Sequence, residues 1–143
     1  MALLEEVSDP EIPVLSIVDL GIVRDVSMDG RRVRVAITPT YSGCPATSVI
    51  TIAVEIALRD AGLEPAVEMR IDPPWTTEWM SDAGRRKLAA YGIAPPETAG
   101  GPKACPRCGS ARVVRVSQFG STPCKASWRC ESCLEPFDYF KCH

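Results

Sequence analysis

The chain has almost no histidine and no long hydrophobic run. His143 is the one histidine among 143 residues, so a hydrolase that needs a histidine base beside its cysteine is not expected. The apolar stretches 49–58 and 113–116 are far shorter than the roughly 20 residues that span a bilayer. The acidic N-terminus lacks the basic and apolar regions of a signal peptide. We therefore expect a cytoplasmic protein without a membrane partner.

A concentrated basic segment is also missing. The formal net charge is −2, with 9 Lys and Arg against 15 Asp and Glu in residues 1–100, and 7 against 3 in residues 101–143. Nucleic-acid-binding proteins usually carry their basic residues in a cluster. An acidic body with a mildly basic tail therefore argues against nucleic acid as a partner.

Cysteine, in contrast, is abundant. The chain has seven, of which six lie between Cys105 and Cys142, while Cys44 stands alone. An odd number of cysteines in a chain expected in a reducing compartment favours metal or redox chemistry over disulfides. Their distribution predicts two different kinds of site.

The C-terminal cysteines form two Cys-x-x-Cys pairs, Cys105 with Cys108 and Cys130 with Cys133, and 21 residues lie between the pairs. Two such pairs can surround one metal ion with four thiolates. With strands at 112–116 and around Trp128, they predict a zinc ribbon whose metal supplies the folding energy that a short tail lacks. Iron stays open as the alternative, because CPRCG also resembles a rubredoxin knuckle and thiolates bind both metals.

Three further ligand-type side chains follow in the same tail. Cys124, Cys142 and His143 could converge on a second, more exposed metal site. Alternatively, Cys124 packs inside the ribbon and the two terminal residues fray.

The N-terminal half has the pattern of a small α/β domain. Strands are predicted at 22–28 and 32–38, joined by the hairpin dipeptide Asp29-Gly30. A helix is predicted from Pro45 to about Asp60, with Val49, Ile50, Val54, Ala57 and Leu58 on its apolar face. A third strand at 66–71 completes a small mixed sheet with packed helices.

A second helix, a linker and the ribbon follow. Ser81 can cap a helix that ends near Tyr91, and residues 96–102 have the Pro- and Gly-rich composition of a linker. We therefore expect an N-terminal domain at 1–95, a linker at 96–102 and the ribbon at 103–143. Trp75, Trp79 and Trp128 are candidate partner contacts, with core packing as the alternative.

Cys44 lies just before Pro45, at the predicted start of the first helix. Unpaired N–H groups and the helix dipole at such a position stabilise an anion, which predicts a reactive thiolate. The alternative is a small buried side chain, since unpaired cysteine is often found in cores. One cysteine cannot hold an iron–sulfur cluster alone. A second subunit's cysteine, Asp19, Asp9 or a client protein would have to complete the ligand set.

Several motifs together resemble a known family. DPEIP at 9–13, SIVDLGIV at 16–23 and TPT followed by GCP at 38–45 resemble the iron–sulfur assembly domain of SufT-like proteins. DPPWTTEWM at 72–80, the CPRCGS knuckle and the last 23 residues resemble one branch, PaaD, whose members accompany phenylacetyl-CoA epoxidase. The resemblance covers essentially the whole chain.

The resemblance implies a maturation role without catalysis of its own. The expected clients are the oxygenase component, with its di-iron centre, and the reductase component, with its iron–sulfur cluster. The resemblance implies that Cys44 is the ligand for iron or a cluster, with Asp19 as the family aspartate nearby. The alternative function is a structural adaptor subunit that transfers no metal. A homodimer is a further expectation.

Overall fold

A computed structural model describes residues 1–97 and 100–141 of the chain. The chain divides into two compact units, Met1–Gly84 and Arg85–His143. The linker expected at 96–102 falls within the second unit by this division, and the domain limits drawn from the sequence stay a prediction. No helix in the described part of the chain is long and apolar enough to cross a membrane.

The first unit contains a three-stranded sheet in the order β1-β2-β3, which is formed by Val23–Asp29, Arg32–Ile37 and Glu64–Met69. β1 and β2 form the predicted antiparallel hairpin, in which Asp29 pairs with Arg32 and Gly30 takes a φ of +61°. β3 lies parallel to β2. A short helix, α1 (Ala2–Glu5), was not predicted and buries Leu4.

β3 begins and ends two residues earlier than the predicted 66–71. It includes Pro65, which pairs with Val33, and the N–H of Glu64 donates to the carbonyl of Arg31 over 2.8 Å. A proline is tolerated here because β3 is the last strand of its sheet, where one side of the strand needs no ladder partner.

The connection between β2 and β3 is the predicted helix, α2 (Ala46–Asp60), which packs against β3. Its buried side chains follow the four-residue spacing of one helix face and are Ala46, Ile50, Val54 and Leu58. Val49 was expected on this face, but it is 52% exposed because the i, i+4 row that starts at Ala46 supplies the buried face. The predicted α/β class is confirmed.

A single-turn 3₁₀ helix, Thr77–Trp79, precedes α3 (Asp82–Tyr91), which is the predicted second helix. The hydroxyl of Ser81 accepts a hydrogen bond from the N–H of Gly84 over 2.9 Å, and this contact caps the helix as expected.

The second unit contains a four-stranded sheet in the order β4-β7-β6-β5. The strands are β4 (Ile93–Ala94), β5 (Val113–Ser117), β6 (Lys125–Cys130) and β7 (Pro136–Phe140). The last three form an antiparallel meander, and β4, which was not predicted, lies parallel to β7. The small core of this unit is built from Ala94, Cys105, Ala126, Cys130, Phe137 and Tyr139.

Candidate functional site

Four cysteine sulfurs meet at one end of the ribbon. The Sγ atoms of Cys105, Cys108, Cys130 and Cys133 all lie within 4.8 Å of one another. The sulfurs of Cys105 and Cys133 are 3.8 Å apart, and those of Cys108 and Cys130 are 3.5 Å apart. Sulfurs bound about 2.3 Å from a tetrahedral zinc ion lie about 3.8 Å from each other. The cluster therefore has the dimensions of a four-thiolate metal site.

The two halves of the cluster have matching backbone shapes. The residue after each second cysteine takes a left-handed conformation, with φ of +77° at Gly109 and +65° at Leu134. The N–H of Arg107 donates to the sulfur of Cys105 over 3.4 Å, and that of Ser132 to Cys130 over 3.3 Å. These turns aim backbone donors at the sulfurs, which stabilises the thiolate form that binds metal.

Cys130 shows this stabilisation most clearly. Its side chain is buried, yet the backbone N–H of Cys133, opposed by desolvation and assisted by the N–H of Ser132, lowers its pKa to about 6. The hydroxyls of Ser110 and Ser132 lie 2.7 Å apart and join the two halves beside the sulfurs.

Cys124 lies outside this cluster. It is buried, and its sulfur lies 3.1 Å from the hydroxyl of Thr122. Its predicted co-ligands, Cys142 and His143, lie outside the described residues, so the second metal site stays a prediction.

Cys44 lies in the first unit, in the loop that leads from β2 into α2. It is half-buried, and α2 begins two residues later at Ala46, with Pro45 as its N-cap. Cys44 lines a small hollow of ≈ 10 Å³, about the space of one water molecule. The walls are mostly apolar with three polar side chains, and the other lining residues are Asp9, Leu20, Ile22, Ile37, Pro39, Thr40, Thr47 and Ile50.

The predicted acidic thiol at Cys44 is wrong. Burial raises the pKa of Cys44 above its ordinary value, and the negative charges of Glu11 and Asp9 raise it further. Hydrogen bonds from the N–H of Ala46 and the side chain of Thr47 act in the opposite direction and are outweighed. The helix start does stabilise the thiolate as expected, but the loss of water and two nearby carboxylates dominate. Because its pKa is raised, Cys44 is a protonated thiol at neutral pH.

The carboxylate that shares the hollow with Cys44 is that of Asp9. Its Oδ1 accepts hydrogen bonds from the N–H groups of Glu11 and Ile12, over 2.7 and 2.8 Å. These bonds hold the DPEIP turn in place and fix the carboxylate at the wall of the hollow. Asp9 lines the hollow beside the thiol, while Glu11 has the larger electrostatic effect on the pKa of Cys44.

Asp19 makes a different set of contacts. Its carboxylate accepts from the N–H of Ser16 over 3.2 Å and from the hydroxyl of Ser81 over 3.1 Å, and its carbonyl accepts from the N–H of Ser81 over 2.9 Å. These bonds join loop 16–22 to the segment before α3. The predicted role of Asp19 as an iron ligand is untested, and its contacts are those of a structural anchor.

Residues 75–81, here called the brace, form hydrogen bonds to loop 16–22. Trp75 is buried, and its indole N–H donates to the carbonyl of Leu20 over 2.8 Å. A Cβ atom at Gly21, where φ is +70°, would lie 2.0 Å from the carbonyl oxygen of Trp79, so only glycine fits there. Arg24 lies over the Trp79 ring, 3.5 Å from its centroid. Because Leu20 is a wall of the Cys44 hollow, the brace positions that wall.

The tryptophans therefore have mainly structural contacts. Trp75 and Trp79 belong to the brace, and Trp128 packs edge-on against Tyr139 with ring centroids 6.1 Å apart. The sequence does not reveal the role of the brace, although the DPPWTTEWM motif that forms it stands out. Trp75 lies 55 residues after Leu20 in the chain, so no local sequence pattern connects these two residues.

Two family descriptions match this chain. Residues 96–141 match the PaaD zinc beta ribbon domain, and residues 1–69 match the family described as iron–sulfur cluster assembly protein. The first match covers the four-cysteine cluster, and the second covers the Cys44 hollow. A zinc ribbon with a metal-binding cysteine group is therefore present.

Three known proteins are similar to this chain in sequence or in structure. An Escherichia coli (strain K12) protein, provisionally named as a component of 1,2-phenylacetyl-CoA epoxidase, is 50% identical over 99% of this chain and 90% of its own length. A crystal structure of a domain of unknown function, DUF59, from Bacillus anthracis has a TM-score of 0.57 at 35% identity, covering 61% of this chain and 85% of its own. A conserved hypothetical protein from Thermotoga maritima gives 0.52 at 37% identity, covering 61% and 87%.

Proposed function

This chain belongs to the PaaD family, and from that premise we propose that it is a cytoplasmic accessory protein of a multicomponent phenylacetyl-CoA epoxidase. Its task is to assist assembly of the iron–sulfur cluster or di-iron centre of an epoxidase component, without catalysis of its own. The observation that carries the proposal is the Cys44 hollow, which a thiol and a carboxylate both line, within the part of the chain that matches the iron–sulfur cluster assembly family.

The state of Cys44 suits transient contact with an iron cargo. Its raised pKa keeps the thiol protonated in the absence of a cation, and an arriving iron displaces the proton because metal ligation requires the thiolate. Release of the iron returns the proton to the sulfur. Such a site favours exchange over permanent retention.

The size of the hollow limits what the chain holds by itself. A space of ≈ 10 Å³ does not enclose a cluster of several iron and sulfur atoms, so the cargo contacts Cys44 from the exposed side of the thiol. A cluster needs further cysteine ligands. We assign these to the client, and a second copy of this chain is the alternative source.

The ribbon holds a resident metal with a different purpose. Its four sulfurs fit a zinc ion, which supplies folding energy to a unit with a small core. Cys105, Cys108, Cys130 and Cys133 are the residues that would hold it. The ribbon is then a structural unit, and Cys44 is the residue that contacts the iron cargo.

The test is maturation of the client in cells. The epoxidase components are produced together with the wild-type chain, Cys44→Ala or Cys44→Ser, and their iron, acid-labile sulfide and epoxidase activity are measured after purification. Both variants are expected to lower client iron by about tenfold, because each removes the thiolate ligand. Ser27→Ala, an exposed position of β1 outside the hollow, is the control and is expected to leave client iron unchanged. Full client iron and activity with Cys44→Ala would instead support the adaptor function.

A further inference from the structure

A cavity of ≈ 170 Å³ in the ribbon lies outside the four-cysteine cluster. Trp128 and Tyr139 form an aromatic wall, and Arg115, Gln118 and Lys141 line the polar part. The space is far larger than the ≈ 10 Å³ of the Cys44 hollow. It is large enough for a carboxylate side chain and too small for a sizeable cofactor.

One residue positions both cations of this cavity. Arg115 donates to the side-chain oxygen of Gln118 over 3.1 Å, and the ammonium of Lys141 donates to the backbone oxygen of Gln118 over 3.2 Å. The same ammonium lies 4.3 Å from the centroid of the Phe119 ring. These neutral contacts orient the two positive charges without neutralising either.

The two charges lack an acidic partner within the described part of the chain. The ion pairs found there in the second unit join Glu97 to Lys103 and Asp138 to Lys125, each over 3.7 Å. The indole N–H of Trp128, in the same wall, is buried and has no acceptor among the described residues. Two cations with only neutral partners around one cavity favour an anionic, hydrogen-bond-accepting ligand.

The surroundings favour a peptide over a free anion. Val116 and Phe119, beside the cavity-lining residues in the chain, are 66% and 64% exposed. β5, which carries Arg115 and Val116, is the edge strand of its sheet, and an edge strand offers unpaired backbone groups to an extended segment. The edge strand alternates a cavity-lining cation, Arg115, with an exposed apolar side chain, Val116, and this pattern matches an extended segment in which acidic and apolar residues alternate.

We propose that the cavity of Arg115 and Lys141 is the client-docking site of the ribbon and binds a carboxylate side chain from an acidic, extended segment of the client. The cations bind the carboxylate, and Val116 and Phe119 cover the apolar neighbours of that residue. This inference rests on the proposed function for the identity of the client, whereas the ligand chemistry follows from the cavity alone.

The first arm of the test measures binding of the zinc-loaded full chain to the purified epoxidase components. Arg115→Glu/Lys141→Glu is expected to weaken binding at least about tenfold at low salt, because both charges are reversed. The matched control, Arg112→Glu/Arg129→Glu, changes the net charge equally at exposed positions outside the cavity and is expected to change binding by less than about threefold. Zinc content and circular dichroism establish that each variant is folded. Equal binding by the two double variants would overturn the proposal.

The second arm uses a labelled heptapeptide of alternating Glu and Val, with a Gln/Val peptide as its neutral counterpart. The Glu/Val peptide is expected to bind the wild-type chain saturably. The Gln/Val peptide is expected to bind the wild-type chain with an affinity at least about tenfold lower, and the Glu/Val peptide is expected to bind Arg115→Glu/Lys141→Glu with an affinity lowered by a similar factor. Equal binding of both peptides, or preferred binding of single-stranded DNA, would overturn the carboxylate assignment. Peptide binding without binding of any epoxidase component would support the cavity and contradict the proposed client.

Discussion

The chain uses the same side chain, cysteine, in two regions with different surroundings. In the ribbon, backbone N–H groups lower the pKa of Cys130 to about 6, whereas at Cys133 the N–H of Glu135 is outweighed by burial and by hydrogen bonds with the neighbouring thiols, which raise the pKa to about 12. In the first unit, burial and two carboxylates raise the pKa of Cys44. The comparison shows that a helix start does not decide the state of a thiol by itself. The balance between donors, solvent and neighbouring charge decides it.

The two sites also differ in how far apart in the sequence their residues lie. Each Cys-x-x-Cys turn builds half of the ribbon site from adjacent residues. The Cys44 hollow is assembled from the DPEIP turn, loop 16–22, β2 and the start of α2, with the brace behind it. The geometry of the ribbon site is therefore set by two local turns, whereas the geometry of the hollow depends on the tertiary fold of the first unit.

The largest expected effect separates the two regions by metal removal. Cys130→Ser, or treatment with a strong chelator, is expected to unfold the ribbon, because a structural zinc ion contributes on the order of 10 kcal/mol to folding. The first unit is expected to keep its helical circular dichroism. Hydrogen exchange resolved by peptide measures both units at once. If the backbone amides of the ribbon remained protected from hydrogen exchange without metal, the ribbon would not depend on metal for its folding, and the comparison would be contradicted.

A substitution in the brace is expected to have the next largest effect. Trp75→Ala should destabilise the first unit by about 3–5 kcal/mol, because it empties a buried site. Trp75→Phe keeps most of the packing and loses the bond to Leu20, at a cost of about 1–3 kcal/mol. Urea unfolding measures both variants.

The same pair of variants tests whether the brace positions the hollow. Trp75→Phe is expected to change the pH profile of Cys44 alkylation while the chain remains folded, because Leu20 is a wall of the hollow. An unchanged profile would leave the brace as support for the fold alone.

The charge around Cys44 gives a third, smaller effect. The pKa of this thiol is raised, so alkylation by iodoacetamide in the zinc-loaded chain should be slower at about pH 7.5 than that of an unhindered thiol and should keep rising above about pH 9. Glu11→Gln removes a negative charge, which lowers the pKa and should speed alkylation at about pH 8 by about twofold. Mass spectrometry of the Cys44 peptide measures the rate, with Glu64→Gln as a control. Slower alkylation of Glu11→Gln would contradict the assigned cause.

The smallest effect on stability concerns the two ribbon turns. Leu134 occupies the conformation that glycine takes at Gly109, so Leu134→Gly should stabilise the zinc-loaded ribbon by about 1 kcal/mol. Gly109→Leu, the reciprocal change, should destabilise it by a similar amount. Thermal unfolding of the zinc-loaded chain compares them. A loss of stability in Leu134→Gly would show that the two turns are not equivalent.

Features with short-range patterns were predictable from the sequence. The hairpin at Asp29-Gly30, the Ser81 cap and the four cysteine ligands each lie within a few residues of the signal that identifies them. The raised pKa of Cys44 was not predictable, because burial, its largest cause, and the charges of Glu11 and Asp9 both come from parts of the chain that are distant in sequence. The pairing of β4 with β7 was not predicted for the same reason, because Ile93 and Asp138 are adjacent only in the folded sheet.

The central claim is that Cys44 contacts an iron cargo while the ribbon keeps its own zinc. The most direct measurement is zinc, iron and acid-labile sulfide in the complex with an iron-free epoxidase component, after wild type and Cys44→Ala are each reconstituted with iron and sulfide without oxygen. The account predicts about one zinc per chain in both complexes, with far more iron and sulfide in the complex that contains the wild type. Equal iron in the two complexes would contradict it.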